Sequence, residues 1–147
     1  MNLLAVTHFN NLTYSENRRW CKNKEYEGCI YNCPVRIKES IPINSKIYVI
    51  EMNNETNKVI GIGLIKNRIY PKQNKIYSDN NYNRYTYLGK KWIDYSLIDT
   101  ETLECLEERL FKGKKHLKRS QGIAQVPKDV EKEFQNYIVS LYNIVFC

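Results

Sequence analysis

The chain has 147 residues and carries 23 Lys and Arg against 16 Asp and Glu, a formal net charge of +7. That length is enough to bury a core without metal or disulfide support, so one domain is expected, and the positive balance favours an anionic partner such as nucleic acid over an acidic protein surface. No apolar run approaches the roughly 20 residues of a membrane span, and the opening MNLLAVTHFNN lacks the basic start and small-residue cleavage site of a signal peptide. A soluble, intracellular protein without membrane contact is therefore expected.

Five cysteines, Cys21, Cys29, Cys33, Cys105 and Cys147, form an odd set without a CxxC pair. They fit a reducing compartment better than a disulfide framework, and no nearby histidine completes a zinc set around Cys21, Cys29 and Cys33. The abundance of Asn, Lys, Ile and Tyr reads as the imprint of an AT-rich genome, as in a large DNA virus, so part of the lysine excess carries no function.

In chain order, Leu3 to Phe9 reads as a short buried strand closed by the turn signal Asn10-Asn11. Thr13 to Pro34 has no clean period; it holds Trp20, Tyr26 and Tyr31 among charges and is expected to be an irregular segment wrapped on the core or used in function. Lys46 to Met52 and Lys58 to Lys66 are β-rich runs joined by NNETN, which predicts a hairpin. Ile60, Ile62 and Leu64 are expected to share one face of the second strand. Gly61 and Gly63 clear the other face, for a bulge, a close backbone or ligand, or a tightly packed helix.

After a polar, tyrosine-containing tract, Arg84 to Lys90 alternates as a strand, and Trp92 to Tyr95 predicts another short one. Asp99 or Thr100 caps a helix with Leu103, Leu106 and Leu110 on one face, and Gly113 suits its C′ position. The basic loop KGKKHLKRSQG follows, then an extended IAQV and an amphipathic helix from Lys128 to Phe146, with Val130, Phe134, Ile138, Leu141, Tyr142 and Val145 as its apolar stripe. This order predicts an α+β fold, a small curved sheet or β-barrel with helices packed on it.

No P-loop, GxGxxG, HExxH or zinc-deaminase signature is present, so neither a cofactor nor a metal is expected and no catalytic residue is assigned. Glu101, Glu104, Glu107 and Glu108 read as the solvated face of their helix. His8 lies in an apolar strand and reads as a core residue; His116, among cations in a polar loop, is the better candidate for contact with phosphate or base. Lys112 to Arg119 can neutralise phosphates, and Ser120, Gln121 and Gly122 add polar contacts. Trp20, Tyr26 and Tyr31 can supply a stacking wall for an unpaired base.

The pieces Trp20, Gly28 to Pro34 (GCIYNCP), IYVIEMNNETNKVIGIGLIKN and the following Arg68 to Pro71 together resemble PUA-like domains, closest to the EVE and YTH branches. The resemblance covers the first half of the chain by motif and the second by element order, with Asn44-Ser45 where EVE domains carry Gly-Asp and without the spaced tryptophans of the YTH cage. It implies a compact β-barrel with helices that binds RNA or DNA, often through a modified base held near the loop after the first strand. Carried over, Trp20, Tyr31 and Asn32 line the pocket, Asn32 reading a base edge. On charge alone, Lys114, Lys115, His116, Lys118, Arg119 and Gln121 hold the backbone beside it. The related ASCH branch implies an alternative, hydrolysis of modified nucleosides by Lys22 or Lys24 with Glu25 or Glu27. A third possibility is a protein-interaction module built on the C-terminal helix.

Overall fold

The computed structural model describes residues 2–147. The elements are β1 (Asn2–Phe9), α1 (Asn11–Asn23), β2 (Cys29–Cys33), β3 (Lys46–Asn53), β4 (Lys58–Lys66), β5 (Tyr85–Gly89), β6 (Lys91–Asp94), α2 (Thr100–Phe111), β7 (Ala124–Gln125) and α3 (Lys128–Val145). Five strands form a mixed sheet in the order β6-β4-β3-β1-β7, with β1 and β3 parallel and the other pairs antiparallel. β2 and β5 form a separate antiparallel ribbon, from Cys29 opposite Gly89 to Cys33 opposite Tyr85. The fold is thus α+β, and the sheet is open, with β6 and β7 as its edges; the barrel alternative is not seen.

Strand alternation divides the core in two. Leu4, Val6, Tyr48, Ile50, Met52 and Ile62 point to one side, where α2 and α3 cover them with Leu106, Leu110, Phe134 and Ile138. Leu3, Ala5, Phe9, Ile47, Val49 and Ile65 point to the other, under the ribbon and α1. Each Leu, Ile, Val, Phe or Met among them contributes about 1.5–3 kcal/mol by leaving water. The expected hairpin forms in the register Lys46 to Lys66, but a bulge between Glu51 and Met52 shifts its far end. That bulge separates Ile60 from Ile62, so Ile60 packs under the ribbon and not with Ile62 and Leu64 as the simple alternation implies.

The two glycines of β4 mark close approaches and no helix takes the space: at Gly61 the Ile93 carbonyl of β6, 2.6 Å from a built Cβ, and the Trp92 ring fill it, and at Gly63 only side chains do. A Cβ on Gly61 would lie 2.8 Å from the Trp92 ring, and one on Gly63 would lie 2.2 Å from the Tyr31 hydroxyl and 2.6 Å from the Cys29 sulfur.

Two elements expected to be irregular are regular. α1 begins at a capping box in which the Asn10 side chain accepts from Thr13 N at 2.8 Å and Thr13 Oγ1 accepts from Asn10 N at 3.0 Å, worth about 1 kcal/mol. Asn10-Asn11 is therefore a helix start and not a turn. β2 follows, with all five residues buried. α2 is capped by Asp99, and Gly113 takes a φ of +79° just after it, as its C′ role requires. The extended IAQV contributes only Ala124–Gln125 as strand.

α3 is tied to the sheet at both ends. The Glu131 carboxylate accepts from Leu4 N at 3.1 Å, and the Tyr142 hydroxyl donates to the Ile62 carbonyl. Arg109 of α2 bridges to Asp129 and Glu133 of α3. Cys21, Cys29 and Cys33 are buried free thiols, while Cys105 and Cys147 are exposed. Among the described residues no helix is long and apolar enough to cross a membrane.

Candidate nucleic-acid interface

The C-terminal end of β1, the first turn of α1 and the end of β2 converge with the 118–122 loop on a cleft of about 580 Å³. That volume lies inside the range of ordinary ligand sites. Its walls are fixed by backbone hydrogen bonds, so the loop is built into the fold. Lys118 O accepts from Asn54 Nδ2 at 2.9 Å, Ser120 Oγ donates to Leu117 O at 3.0 Å, and Leu117 N donates to Leu110 O at 2.8 Å. His8 Nε2–H donates to the Ser120 carbonyl. With its backbone held, the loop leaves the side chains of Lys118, Arg119 and Gln121 without an internal ion pair or hydrogen bond among the described residues, and all three line the cleft.

The opposite wall comes from the tract 74–83, folded around Asn83. This buried amide accepts from Asn32 Nδ2 at 2.9 Å, Ile76 N at 3.2 Å and Tyr77 N at 3.1 Å, and donates to Tyr77 O at 2.7 Å. The knot fixes Tyr77 and the short 3-10 turn Asn80–Asn83, from which Tyr82 faces the cleft with 45% of its surface exposed. Tyr77 is buried, its hydroxyl accepting from Asn17 Nδ2 at 3.2 Å, so it supports the wall and Tyr82 presents the accessible ring.

Of the residues expected to form the site, Tyr31, Asn32, Lys118, Arg119 and Gln121 meet at this cleft. Trp20 does not; it lies half-buried on α1, edge-on to Tyr26 with ring centroids 6.0 Å apart. Lys114 and Lys115 are exposed in the turn after α2, outside the cleft. The His116 Nδ1 accepts from Lys118 N at 3.2 Å and so shapes the loop. Asn32 has both amide hydrogens donated, to Asn74 O at 2.7 Å and to Asn83 Oδ1, while its Oδ1 accepts from Thr86 Oγ1 at 2.6 Å. Its amide is committed to the fold, which corrects the expectation that it reads a base.

His8 is also corrected. It is exposed at the mouth of the cleft and not a core residue, because β1 runs past the helices that cover its other inward positions. Sequence reasoning missed Tyr82 and Asn10 as well. The capping-box spacing from Asn10 to Thr13 was the available signal for the second; nothing local marks Tyr82 out from its polar neighbours. Lys22, Glu25 and Glu27 share a separate shallow hollow with Arg18 and Trp92, and Lys24 stands outside it.

Beneath the ribbon lies a buried carboxyl. Glu51 is 1% exposed; its Oε2 accepts from the Tyr31 hydroxyl at 2.5 Å and from Trp92 Nε1 at 3.0 Å, while Oε1 has no partner. Burial pushes its carboxyl above the usual carboxylate range, against the hydrogen bond from Tyr31, the charge of Arg18 and the hydrogen bond from Trp92. The Arg18 guanidinium stacks 4.5 Å from the Trp92 ring centre. Burial also pushes the Cys33 thiol up to about 12, so this cysteine is inert at neutral pH. The Tyr31 hydroxyl is thus spent on Glu51, and only its ring can serve the cleft.

No protein-family model and no curated protein matches the chain. Among solved structures, the fold is similar to the YTH domain of the Zygosaccharomyces rouxii MRB1 protein in complex with N6-methyladenosine RNA. The match has a TM-score of 0.49 and 14% identity, and covers 92% of this chain and 86% of that one. It lends no support to a viral source.

Proposed function

We propose that this chain binds RNA or DNA, with one unstacked base in the cleft beside Tyr82 and the adjoining phosphates on Lys118 and Arg119. The observation that carries the proposal is the convergence in one cleft of an exposed aromatic ring, two unpaired cations and an uncommitted amide, Gln121. An aromatic face stacks any base, cations without internal partners neutralise phosphates, and a free amide can donate to and accept from a base edge at once. Lys114 and Lys115 extend the positive surface outward and act on more distant phosphates. The resemblance of the first half of the sequence to EVE and YTH domains adds the finer proposal that the base is a modified one.

Fluorescence anisotropy with short RNA and DNA strands carrying plain or methylated bases, across a salt series, tests this. Lys118→Glu/Arg119→Glu is expected to weaken binding at least about tenfold at low salt and to flatten the log–log salt slope by about 1.4, two single-strand contacts. Tyr82→Ala is expected to lose about 5- to 150-fold at every salt concentration, the worth of one stacked base, with the slope unchanged. Wild-type affinity no better than that of a polycation would overturn this proposal, and turnover of free modified nucleosides abolished by Lys22→Ala or Glu25→Ala would replace it with the hydrolase alternative.

A further inference from the structure

A second cleft of about 570 Å³ opens at the far end of the ribbon. Its floor is apolar, with Leu64, Leu88, Pro71 and Ile69 beside Tyr26 and Tyr70, and the Tyr26 hydroxyl fixes one wall by donating to Gly89 O at 2.6 Å. Its rim carries five cations, Lys46, Lys66, Arg68, Lys90 and Lys91, and no carboxylate. None of the five has an ion pair or a side-chain hydrogen bond among the described residues; Lys91 alone has a partner, the Phe146 ring at 5.4 Å.

This arrangement has a cost in the folded state. Lys46 and Lys66 stand directly opposite each other across β3 and β4, and like charges so placed are destabilising. Edge protection does not explain Lys46, which is flanked by β1 on one side and β4 on the other. A phosphate held between them relieves the repulsion, and the apolar floor supplies a surface for the attached base or sugar.

We infer that this second cleft holds a more distant stretch of the same nucleic-acid strand that enters the first. The inference rests on the function proposed above. Lys46 belongs to the second cleft and Asn54 to the first. β3 and the one residue after it separate them, roughly 26 Å at the rise of a strand, which is about eight nucleotides at the ~3.4 Å spacing of a stacked strand. A strand engages both clefts only above a threshold length, and affinity rises there because the second contact is intramolecular.

The test compares single strands of ~3 and ~15 nucleotides, below and well above that span. The variant is Lys66→Glu/Lys90→Glu, at exposed positions, beside Lys118→Glu/Arg119→Glu. The expected result is that the second-cleft variant binds the short strand as wild type does. On the long strand it loses at least about tenfold, and its salt slope falls by about 1.4. If the wild type binds both strands and the second-cleft variant matches it on both, this inference falls and the first cleft stands alone. If neither strand binds, both proposals fall. Vesicles with anionic lipid form a further arm: capture that Lys66→Glu/Lys90→Glu abolishes, with strand binding unchanged, would reassign the cleft to a membrane surface.

Discussion

Gly89→Ala is expected to destabilise the fold by roughly 3–5 kcal/mol, a large share of the ~5–15 kcal/mol that holds an ordinary domain folded. Gly89 ends β5 where the ribbon crosses the sheet, and a Cβ there would sit 2.0 Å from the Leu64 carbonyl oxygen and 2.9 Å from the Cys29 sulfur. The obstacle on one side is backbone of β4, held on both edges by β3 and β6, so no side-chain rotation relieves it. Moving the ribbon would also pull Tyr31 from Glu51 and disturb both clefts. Gly113→Ala serves as the contrast. Its φ is positive, +79°, and a Cβ meets nothing within 4 Å, so only the left-handed penalty of about 1–2 kcal/mol applies. Urea midpoints of the two variants separate crowding from backbone strain. A Gly89→Ala protein as stable as Gly113→Ala would mean that the ribbon does not dock on β4 in this way.

The second large effect concerns Glu51, where two substitutions should part company. Glu51→Ala leaves the Tyr31 hydroxyl and the Trp92 indole N–H buried without an acceptor, at about 1–3 kcal/mol each, and opens a void as well. A loss of about 3 kcal/mol or more is expected at any pH. Glu51→Gln keeps an acceptor for both donors and removes only the ionisation. Because burial raises the folded-state pKa of Glu51 above its ordinary value of 4.5, the stability linked to this group is complete below that ordinary value and is lost as pH rises through the raised one. Wild type should therefore weaken relative to Glu51→Gln as pH rises from about 4.5, the ordinary carboxylate value, through the raised one. Chemical denaturation of both proteins at the two ends of that window checks the sign. A gap that closes toward high pH would show that the carboxylate is the favoured form in the fold.

The parts of this fold that were legible in the sequence are those in which packing and local pattern agree. The β3–β4 hairpin and the stripe of α3 are apolar at the spacing that their geometry demands, and Asp99 and Gly113 stand where the two ends of α2 need them. α1 was hidden because the face it buries is polar: Asn17 and Cys21 are its buried residues, with Asn17 donating to Ile30 O at 2.7 Å, while Leu12 is 61% exposed. A helix held by hydrogen bonds to another element leaves no hydrophobic period. β2 was hidden for the opposite reason, since burial on both faces removes its alternation.

The site was legible in charge and not in geometry. Lys118, Arg119 and Gln121 stood in a visibly basic loop, but only the fold divides that loop into a cleft wall and an outer turn. Tyr82 could not be found from its surroundings, because Asn83 places it through contacts with residues 32, 76 and 77. Trp20 drew attention as the large aromatic of its segment, yet the helical phase of α1 turns it toward Tyr26.

The placement of α3 has a consequence for the chain while it is being made on the ribosome. The apolar face formed by Leu4, Val6, Tyr48, Ile50 and Ile62 is complete once β4 has been synthesised, yet half of its cover is a helix that ends at Val145. At translation rates of ~5–20 residues per second, the roughly 80 intervening residues take about 4–16 s. For that interval the apolar face of the nascent sheet lacks the cover that α3 gives it in the finished fold.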